Sequence, residues 1–452
     1  MNILFIIPWI PYPVESGGAQ AFYNMVDEIR KHHDVSVLLT VRFDADEQNI
    51  GELKKLWKDV HFYVYDQRKE TDYRFFTDEL KSLGIKGTAS FLCKWMYKTS
   101  KSLQRKINRR INKYRRKNFK AIIKADSTLF KPSHVLTPGF LDFVKKTACQ
   151  GFDTVQVEFY EYLPLVHILP KNVHKVFLHH EIRFIHNANE LKMMEDASPN
   201  GMLLLEDEKG REIYHLSKYD QIMVLTETDK RILQPLLPQS DIYVSPAITI
   251  ACKKIAQTYE YTPAVNLVFM GNSFHVPNVE GLIWFCSQVM PIVVKKYPGL
   301  KLFVTGFWDE QSKKILEGQC DNIVFTGFIE DINQFINGKI SIIPIRIGSG
   351  MRMKAVDAMI SKSPIVSTLK GCEGLNLGSG KEILVADTPQ DFAAAVTRLL
   401  DDKELGKAMT VAAHRFIHTQ MNAEAMIKKR LDFYKKIENE QPTISDNSYT
   451  GL

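Results

Sequence analysis

Short aliphatic and β-branched runs alternate along the whole chain with longer stretches whose apolar positions recur at helical spacing. The short runs fit strands buried on both faces and the longer stretches fit amphipathic helices. Their alternation predicts parallel sheets covered by helices. In the first half the pattern predicts strands at Asn2–Trp9, Asp34–Val41, His61–Tyr65, Thr154–Glu158, Lys175–His179, Gln221–Leu225 and Asp241–Ser245, with a first amphipathic helix at Ala19–His33. Between residues 69 and 131 the rhythm breaks, and that stretch reads as a helical insertion.

A polar stretch, Lys253–Tyr261, precedes a second and more regular series. Its strands are expected at Asn266–Met270, Lys301–Thr305, Asn322–Thr326, Ser341–Pro344, Pro364–Ser367 and Glu382–Val385. Its helices are expected at Val279–Tyr297, Met351–Ser361, Pro389–Leu400 and Glu404–Gln420. The chain thus divides into one α/β domain over residues 1–250 and a second over 262–420. A last helix, 421–437, is expected to pack back on the first domain, and residues 438–452 are polar enough to form a disordered tail.

Composition keeps this picture within ordinary globular proteins. The chain has 452 residues, 45% hydrophobic and 25% charged, enough for a sizeable core in each half. Cys93, Cys149, Cys252, Cys286, Cys320 and Cys372 are scattered without a Cys-x-x-Cys pair, which argues against structural zinc or a disulfide framework and fits a reducing compartment. The start, Met1 to Trp9, has no basic leader, and its apolar run stops at Pro8, so it reads as a buried strand and not a signal peptide. No stretch is apolar for long enough to span a bilayer. A cytoplasmic protein is expected.

Charge adds one feature. The net charge of +7 is concentrated between Lys94 and Lys124, where thirteen Lys or Arg occur without an acid and Leu103, Ile107, Ile111 and Tyr114 recur at helical spacing. Such a helix could lie on anionic lipid and hold the protein at the inner face of the plasma membrane. It could equally be solvated, with its apolar stripe packed on its own domain. Nucleic acid is not an expected partner, since no nucleic-acid module surrounds the segment.

In open parallel sheets ligands bind beyond the carboxyl ends of the strands, so the loops that follow strands carry the chemistry. Gly17 and Gly18 open the first helix and leave its N–H groups approachable by an anion, although the dinucleotide fingerprint does not fit there. The stronger feature runs from Pro344 through Gly348-Ser349-Gly350 to Met359, a strand, a glycine-bearing loop and a helix start. Arg352 and Lys354 fall at that start, where cations oppose the helix dipole unless an anion such as a diphosphate is held against them. Asp357, about one turn on, could accept from a ribose diol. The plainer alternative is a surface Lys354–Asp357 pair with Arg352 in solvent.

This segment resembles the retaining glycosyltransferases with two facing Rossmann-like domains and an inter-domain cleft (the GT-B fold, glycosyl transferases group 1, family 4-like). It is most similar to bacterial sugar transferases of polysaccharide biosynthesis with a Gly-x-Gly-x-Arg-x-Lys loop. The resemblance extends to Gly17-Gly18, the strand Phe152–Glu158, Leu225–Lys230, Met270-Gly271-Asn272 with Pro277-Asn278-Val279 and Trp284-Phe285, Thr326–Asp331, Pro364–Thr368 and Gly371–Leu375.

The resemblance implies a glycosyltransferase that uses a UDP- or GDP-type sugar and a glycan or lipid-linked acceptor in cell-surface polysaccharide or glycoconjugate biosynthesis. Retention at the anomeric carbon follows from the same likeness. Gly17, Gly18, Gly271, Asn272, Ser349 and Gly350 would line the donor, and Arg352 and Lys354 would neutralise its diphosphate. Phe328 and Ile329 would lie by the base, Asp357 by the ribose, and Gly371, Glu373, Gly374 and Leu375 around the sugar. His180, with Glu181 beside it, would face the transferred sugar as the catalytic pair; His180 is favoured over His179.

No metal or other cofactor is expected, for want of an Asp-x-Asp metal motif or a close His/Asp cluster. The chain departs from the family in three places. Ser349 replaces the first acid of the Glu-seven-residues-Glu pattern and Asp357 the second. The usual Arg and Lys after the first strand of the second domain are absent from Gly271–His275. Ser245-Pro246-Ala247 replaces a Pro-Asn-Gly hinge. A nucleotide-sugar 2-epimerase or a non-catalytic sugar-nucleotide-binding subunit of the same fold are the alternatives, and the missing fingerprint disfavours an NAD-dependent dehydrogenase.

Overall fold

The computed structural model describes residues 1–14, 17–69, 129, 136–194, 199–247, 260–263 and 265–440. The basic segment 94–124 and its two readings, most of the expected insertion, and the tail from 441 onward lie outside the described residues. In chain order the first half contains β1 (Asn2–Ile6), α1 (Gly17–Ile29), β2 (Asp34–Val41), α2 (Asp44–Leu56), β3 (His61–Asp66), α3 (Pro138–Ala148), β4 (Thr154–Glu158), β5 (His174–His179), α4 (Arg183–Met194), α5 (Pro199–Leu216), β6 (Gln221–Val224), α6 (Glu227–Leu233) and β7 (Asp241–Val244). The second half contains β8 (Leu267–Met270), α7 (Val276–Trp284), α8 (Met290–Val294), β9 (Leu302–Thr305), α9 (Glu310–Glu317), β10 (Ile323–Gly327), α10 (Ile332–Ile336), β11 (Ile340–Ile343), α11 (Met353–Ile360), β12 (Ile365–Ser367), β13 (Leu384–Val385), α12 (Pro389–Asp401), α13 (Lys403–Gln420) and α14 (Ala423–Glu440).

Each half is a parallel sheet. Among the described residues the seven strands of the first run β3-β2-β1-β4-β5-β6-β7, and the six of the second run β10-β9-β8-β11-β12-β13. The strand direction of travel reverses between β1 and β4 in one sheet and between β8 and β11 in the other. At such a switch point the loops diverge to either face and leave a crevice beyond the strand ends. Strands such as Val35–Val41 and Val155–Val157 are buried along their length, which is why they read as continuous apolar runs.

Three elements differ from the sequence expectation for local reasons. The first strand stops at Ile6, short of Trp9, because Pro8 lacks the N–H a ladder needs. The expected helix 279–297 starts earlier, with Pro277 in its first turn, and is interrupted by a π-turn at Phe285–Val289 just before Pro291. Proline has no N–H to return to Ser287, and widening the preceding turn relieves the misfit. The Asp-x-Asp triplet Asp44-Ala45-Asp46 does occur in the sequence, but it opens α2. There Asp46 accepts from the backbone N–H groups of Arg42 and Phe43, and Asp44 pairs with Arg68.

The last helix crosses back to the first sheet. The Tyr434 hydroxyl donates to Gln156 Oε1 at 2.6 Å, the Arg430 guanidinium Nε donates to Ser245 Oγ at 2.7 Å, and the Tyr243 hydroxyl donates to the Lys429 carbonyl at 2.8 Å. Phe433, Tyr434 and Ile437 are fully buried in the core that covers α1. Removing the Tyr434 ring therefore opens a cavity and orphans Gln156. Tyr434→Ala is expected to cost ~3–5 kcal/mol, read as a lower urea midpoint of the unfolding step that includes the first domain.

Candidate functional site

The second-domain wall of the site begins where β11 ends. Gly348 and Gly350 have φ of 109° and 80°, so the chain turns sharply before α11. Position 350 tolerates nothing larger: an added Cβ would overlap the His180 carbonyl oxygen of the other domain. The first turn of α11 contains no acid, and its N-cap position, Arg352, makes no capping hydrogen bond. The Ala355 N–H donates to the Arg352 carbonyl at 3.1 Å, while the Met353 and Lys354 N–H groups have no partner among the described residues.

Arg352 is anchored through Nε, which donates to the Lys370 carbonyl at 2.9 Å. Its Nη2 is buried, stands 3.7 Å from Glu373 Oε2 and makes no hydrogen bond. Burial pulls its pKa down, but a guanidinium remains charged. Lys354 lies over the Phe269 ring at 5.7 Å. Burial, then Arg352, pushes its pKa down to about 8, with Asp357 opposing. Burial raises Asp357 to about 6 against the pull of Lys354. Arg352 is thus not solvated. No ion pair joins Lys354 to Asp357 among the described residues, so the plain surface-pair alternative does not describe this helix.

The first-domain wall is an aromatic and acidic assembly beyond β1, β4 and β5. Trp9 meets Phe159 edge-on at 4.7 Å, and Phe159 stacks on the His180 ring at 3.9 Å with 4° between planes. Gly18 abuts both Trp9 and Phe159, and an added Cβ would stand a tight 3.3 Å from the Trp9 ring and 3.4 Å from the Phe159 ring. His180 Nε2 lies 2.8 Å from Glu158 Oε2. The other Glu158 oxygen accepts from Gln156 Nε2 at 2.7 Å, and Gln156 is in turn held by Tyr434. Glu158 is buried, so this chain orients an imidazole whose Nδ1 has no partner among the described residues. His179 instead points into the domain. It meets Glu212 at 2.7 Å, and Glu212 also accepts from the N–H groups of Arg183 and Phe184 at the start of α4.

The two walls touch. Ser349 Oγ accepts from the Ile182 N–H at 2.7 Å, and the Ser349 N–H donates to Glu181 Oε1 at 3.3 Å. Gly17, at the start of α1, faces the Met353 side chain at the start of α11, and Gly374 lies against Thr226. The positive end of α11 therefore looks across a gap at Gly17, His180 and Glu181.

Glu181 meets His186 Nδ1 at 2.8 Å, and His186 Nε2 meets Glu190 at 3.2 Å. Burial opposes both charges, but the pair prevails. His186 rises to about 9, and Glu181, aided by Arg183, is held well below the ordinary carboxylate range. Glu181 is a fixed anion, not a proton donor, near neutrality.

The remaining expected residues divide. Gly271 and Asn272 follow β8 at the switch point; Gly271 presses on Asn278, whose amide donates to the Asn272 carbonyl at 2.8 Å. Phe328 and Ile329 follow β10, two strands further out, or ~10 Å at the usual strand spacing. Phe328 is 79% exposed there. Glu373 is bound by Lys370 at 2.8 Å and stays beside Arg352. Gly371 is buried against the Ile343 carbonyl and Ser367, so its local constraint is packing on the sheet. Gly374 and Leu375, with Met351, also border a cavity of about 570 Å3 on the hinge side that reaches Pro246, Arg415 and Lys429.

Sequence reasoning missed the roles of Glu158 and Phe159. A buried acid ending a central strand was the available signal for Glu158.

Residues 264–402 match the family model described as glycosyl transferases group 1. A protein of the cps region of Klebsiella pneumoniae is 30% identical over 168 residues, which is 35% of this chain and 43% of that protein, so the match spans less than half of the relative. Over whole chains, the S. aureus TarM structure superposes with a TM-score of 0.63 at 12% identity, covering 96% of this chain and all (100%) of TarM. Sucrose-phosphate synthase from Thermosynechococcus elongatus also gives 0.63 at 12% identity, covering 98% of this chain and 100% of its own. At these identities the structural likeness establishes the fold, two facing Rossmann-like domains of GT-B type.

Proposed function

From the premise that residues 264–402 form a glycosyl transferases group 1 domain, we propose that this chain is a glycosyltransferase. It moves a sugar from a nucleotide sugar to a glycan or lipid-linked acceptor in cell-surface polysaccharide synthesis, with retention and with no metal. The observation that carries the reading is the buried Arg352 Nη2, which has Glu373 at 3.7 Å but no hydrogen bond, at the start of α11. An uncompensated buried donor is costly unless a ligand completes it. The cps-region relative supports the polysaccharide context, and the UDP found with TarM supports a nucleoside diphosphate as leaving group.

Bond breaking at the anomeric carbon leaves growing negative charge on the diphosphate. Arg352, Lys354 and the α11 N–H groups lie where that charge develops and stabilise it more than the ground state. Asp357 receives the ribose, and Phe328 with Ile329 the base. His180, held by Glu158, presents Nδ1 to the sugar. Glu181 acts as a fixed anion that holds the Gly-Ser-Gly loop in place. Contacts between Ser349 and Ile182 close the cleft and exclude water that would hydrolyse the donor.

A panel of UDP- and GDP-sugars, scored by thermal shift and slow hydrolysis, tests the reading; no stabilisation by any of them would refute it. Lys354 adds a pH expectation. Its cationic form is the one that binds diphosphate, so donor affinity should hold near pH 7 and decline as pH rises through about 8. Isothermal titration from pH 7 to 9 checks this, and the decline should vanish in Lys354→Arg.

A further inference from the structure

Phe159, directly after β4, has a φ of 69°, a left-handed backbone that bulky residues rarely adopt. Such strain persists only where the surroundings enforce it, and it collects at functional sites. Here Phe159 is stacked on the His180 ring, and the turn Tyr160–His167 starts beside it. Arg183, the first residue of α4, comes back over this turn. Its guanidinium lies 5.3 Å above the Tyr160 ring, a contact that favours a cation.

Two acids flank that guanidinium. Nη2 stands 3.9 Å from Glu161 Oε1, and Nη1 stands 3.7 Å from Glu181 Oε2. Both distances are too long for hydrogen bonds. The Arg183 side chain is only 13% exposed, its Nε is buried, and the guanidinium makes no hydrogen bond among the described residues. The Glu161 carboxylate, 30% exposed, makes none among them either. A largely buried donor left in this state is costly unless a ligand completes it. The group lies at the boundary between the domains, because Glu181 accepts from the Ser349 N–H of the second domain at 3.3 Å.

We propose that Glu161 and Arg183 hold the terminal sugar of the acceptor, and that they select a neutral ring with two neighbouring hydroxyls over a phosphate- or carboxylate-bearing group. This rests on the glycosyltransferase reading above and specifies its acceptor. The selection follows from the pairing of an unsatisfied donor with an unsatisfied acceptor. A hydroxyl can do either, so one of two adjacent hydroxyls accepts from the guanidinium fork and the other donates to Glu161. An anion would satisfy the guanidinium but would meet two carboxylates, Glu161 and Glu181, as like charges. Tyr160 keeps the guanidinium in place from below.

The neutral probes are the methyl α-glycosides of glucose, mannose, galactose and N-acetylglucosamine; methyl glucuronide and glucose 6-phosphate are the anionic ones. Saturation-transfer NMR reads their binding to the parent, and mass spectrometry reads transfer from the best donor of the nucleotide-sugar panel. At least one neutral probe should bind and accept sugar in preference to both anionic probes. Arg183→Ala should raise the acceptor KM about 10- to 100-fold, the loss of hydrogen bonds from a charged group, and move the donor KM far less. Glu161→Gln should raise it about tenfold, since it keeps the shape and loses the charge. Arg183→Lys keeps a cation beside Glu181 but loses the fork, so its acceptor KM should also rise, whereas a role exerted only through Glu181 would leave it parental. Circular dichroism and melting establish that the variants are folded. A parental acceptor KM in any of the three, an equal rise in the donor KM, a preference for the anionic probes, or no binding of any neutral probe overturns the inference and leaves the nucleotide-sugar reading standing. A parent that no nucleotide sugar stabilises overturns both.

Discussion

Arg352→Ala is expected to weaken nucleotide-sugar binding about 10- to 100-fold, the loss of one or two charge-assisted hydrogen bonds to a desolvated anion. Arg352 has two jobs in the structure. Its Nε fixes the Lys370 carbonyl, while its Nη2 is buried and unsatisfied. Alanine removes both, so the loss alone would not isolate the phosphate contact. Lys354→Ala separates them, because Lys354 has no hydrogen bond to the protein among the described residues and still stands at the same helix end. Its removal should also cost about tenfold in donor affinity. Arg352→Lys should fall between, since it keeps the charge and loses the fork. The comparison is made by calorimetry with the best donor of the panel. Parent-like binding in both alanine variants would refute the phosphate assignment.

The second large effect concerns His180. His180→Ala should lower kcat by about 10²- to 10⁴-fold, the usual range for loss of a positioned imidazole, with little change in the KM for donor. The physical basis is its orientation. Phe159 stacks on one face and Glu158 holds Nε2, leaving Nδ1 for the cleft. Glu158→Gln keeps an acceptor of the same shape and removes the charge that polarises the ring, so its loss should be smaller, about tenfold. His179→Ala would behave differently. That ring braces Glu212 and the start of α4, so the variant should melt earlier while the active fraction turns over normally. If His180→Ala retained parental kcat, the assignment of the sugar-facing group would be wrong.

Much of the framework was legible because it is written in local periodicity. Alternating buried strands and amphipathic helices give parallel sheets from almost any reading of Asn2–Ile6, Asp34–Val41 or Thr154–Glu158. The cationic start of α11 was legible too, because two bases against a helix dipole is a local anomaly visible from residues 348 to 354. The interruption of the α7 region was less so. Pro291 was visible, but whether a proline ends, kinks or widens a helix depends on the core packed around it.

The partners of these groups were decided elsewhere. Glu158 ends β4 and His180 follows the neighbouring β5, Ser349 and Ile182 lie on different domains, and Tyr434 reaches Gln156 from the far end of the chain. The sequence by itself determined the strand and helix alternation, the two Rossmann-like units, and a helix start suited to an anion. Those depend on interactions between residues within a turn or a strand of one another. Only the tertiary structure decided what orients His180, which carboxylate is held ionised and which arginine nitrogen is left without a hydrogen bond. Such outcomes are set by burial and by charges brought together across long stretches of chain, and neither is encoded in any short window.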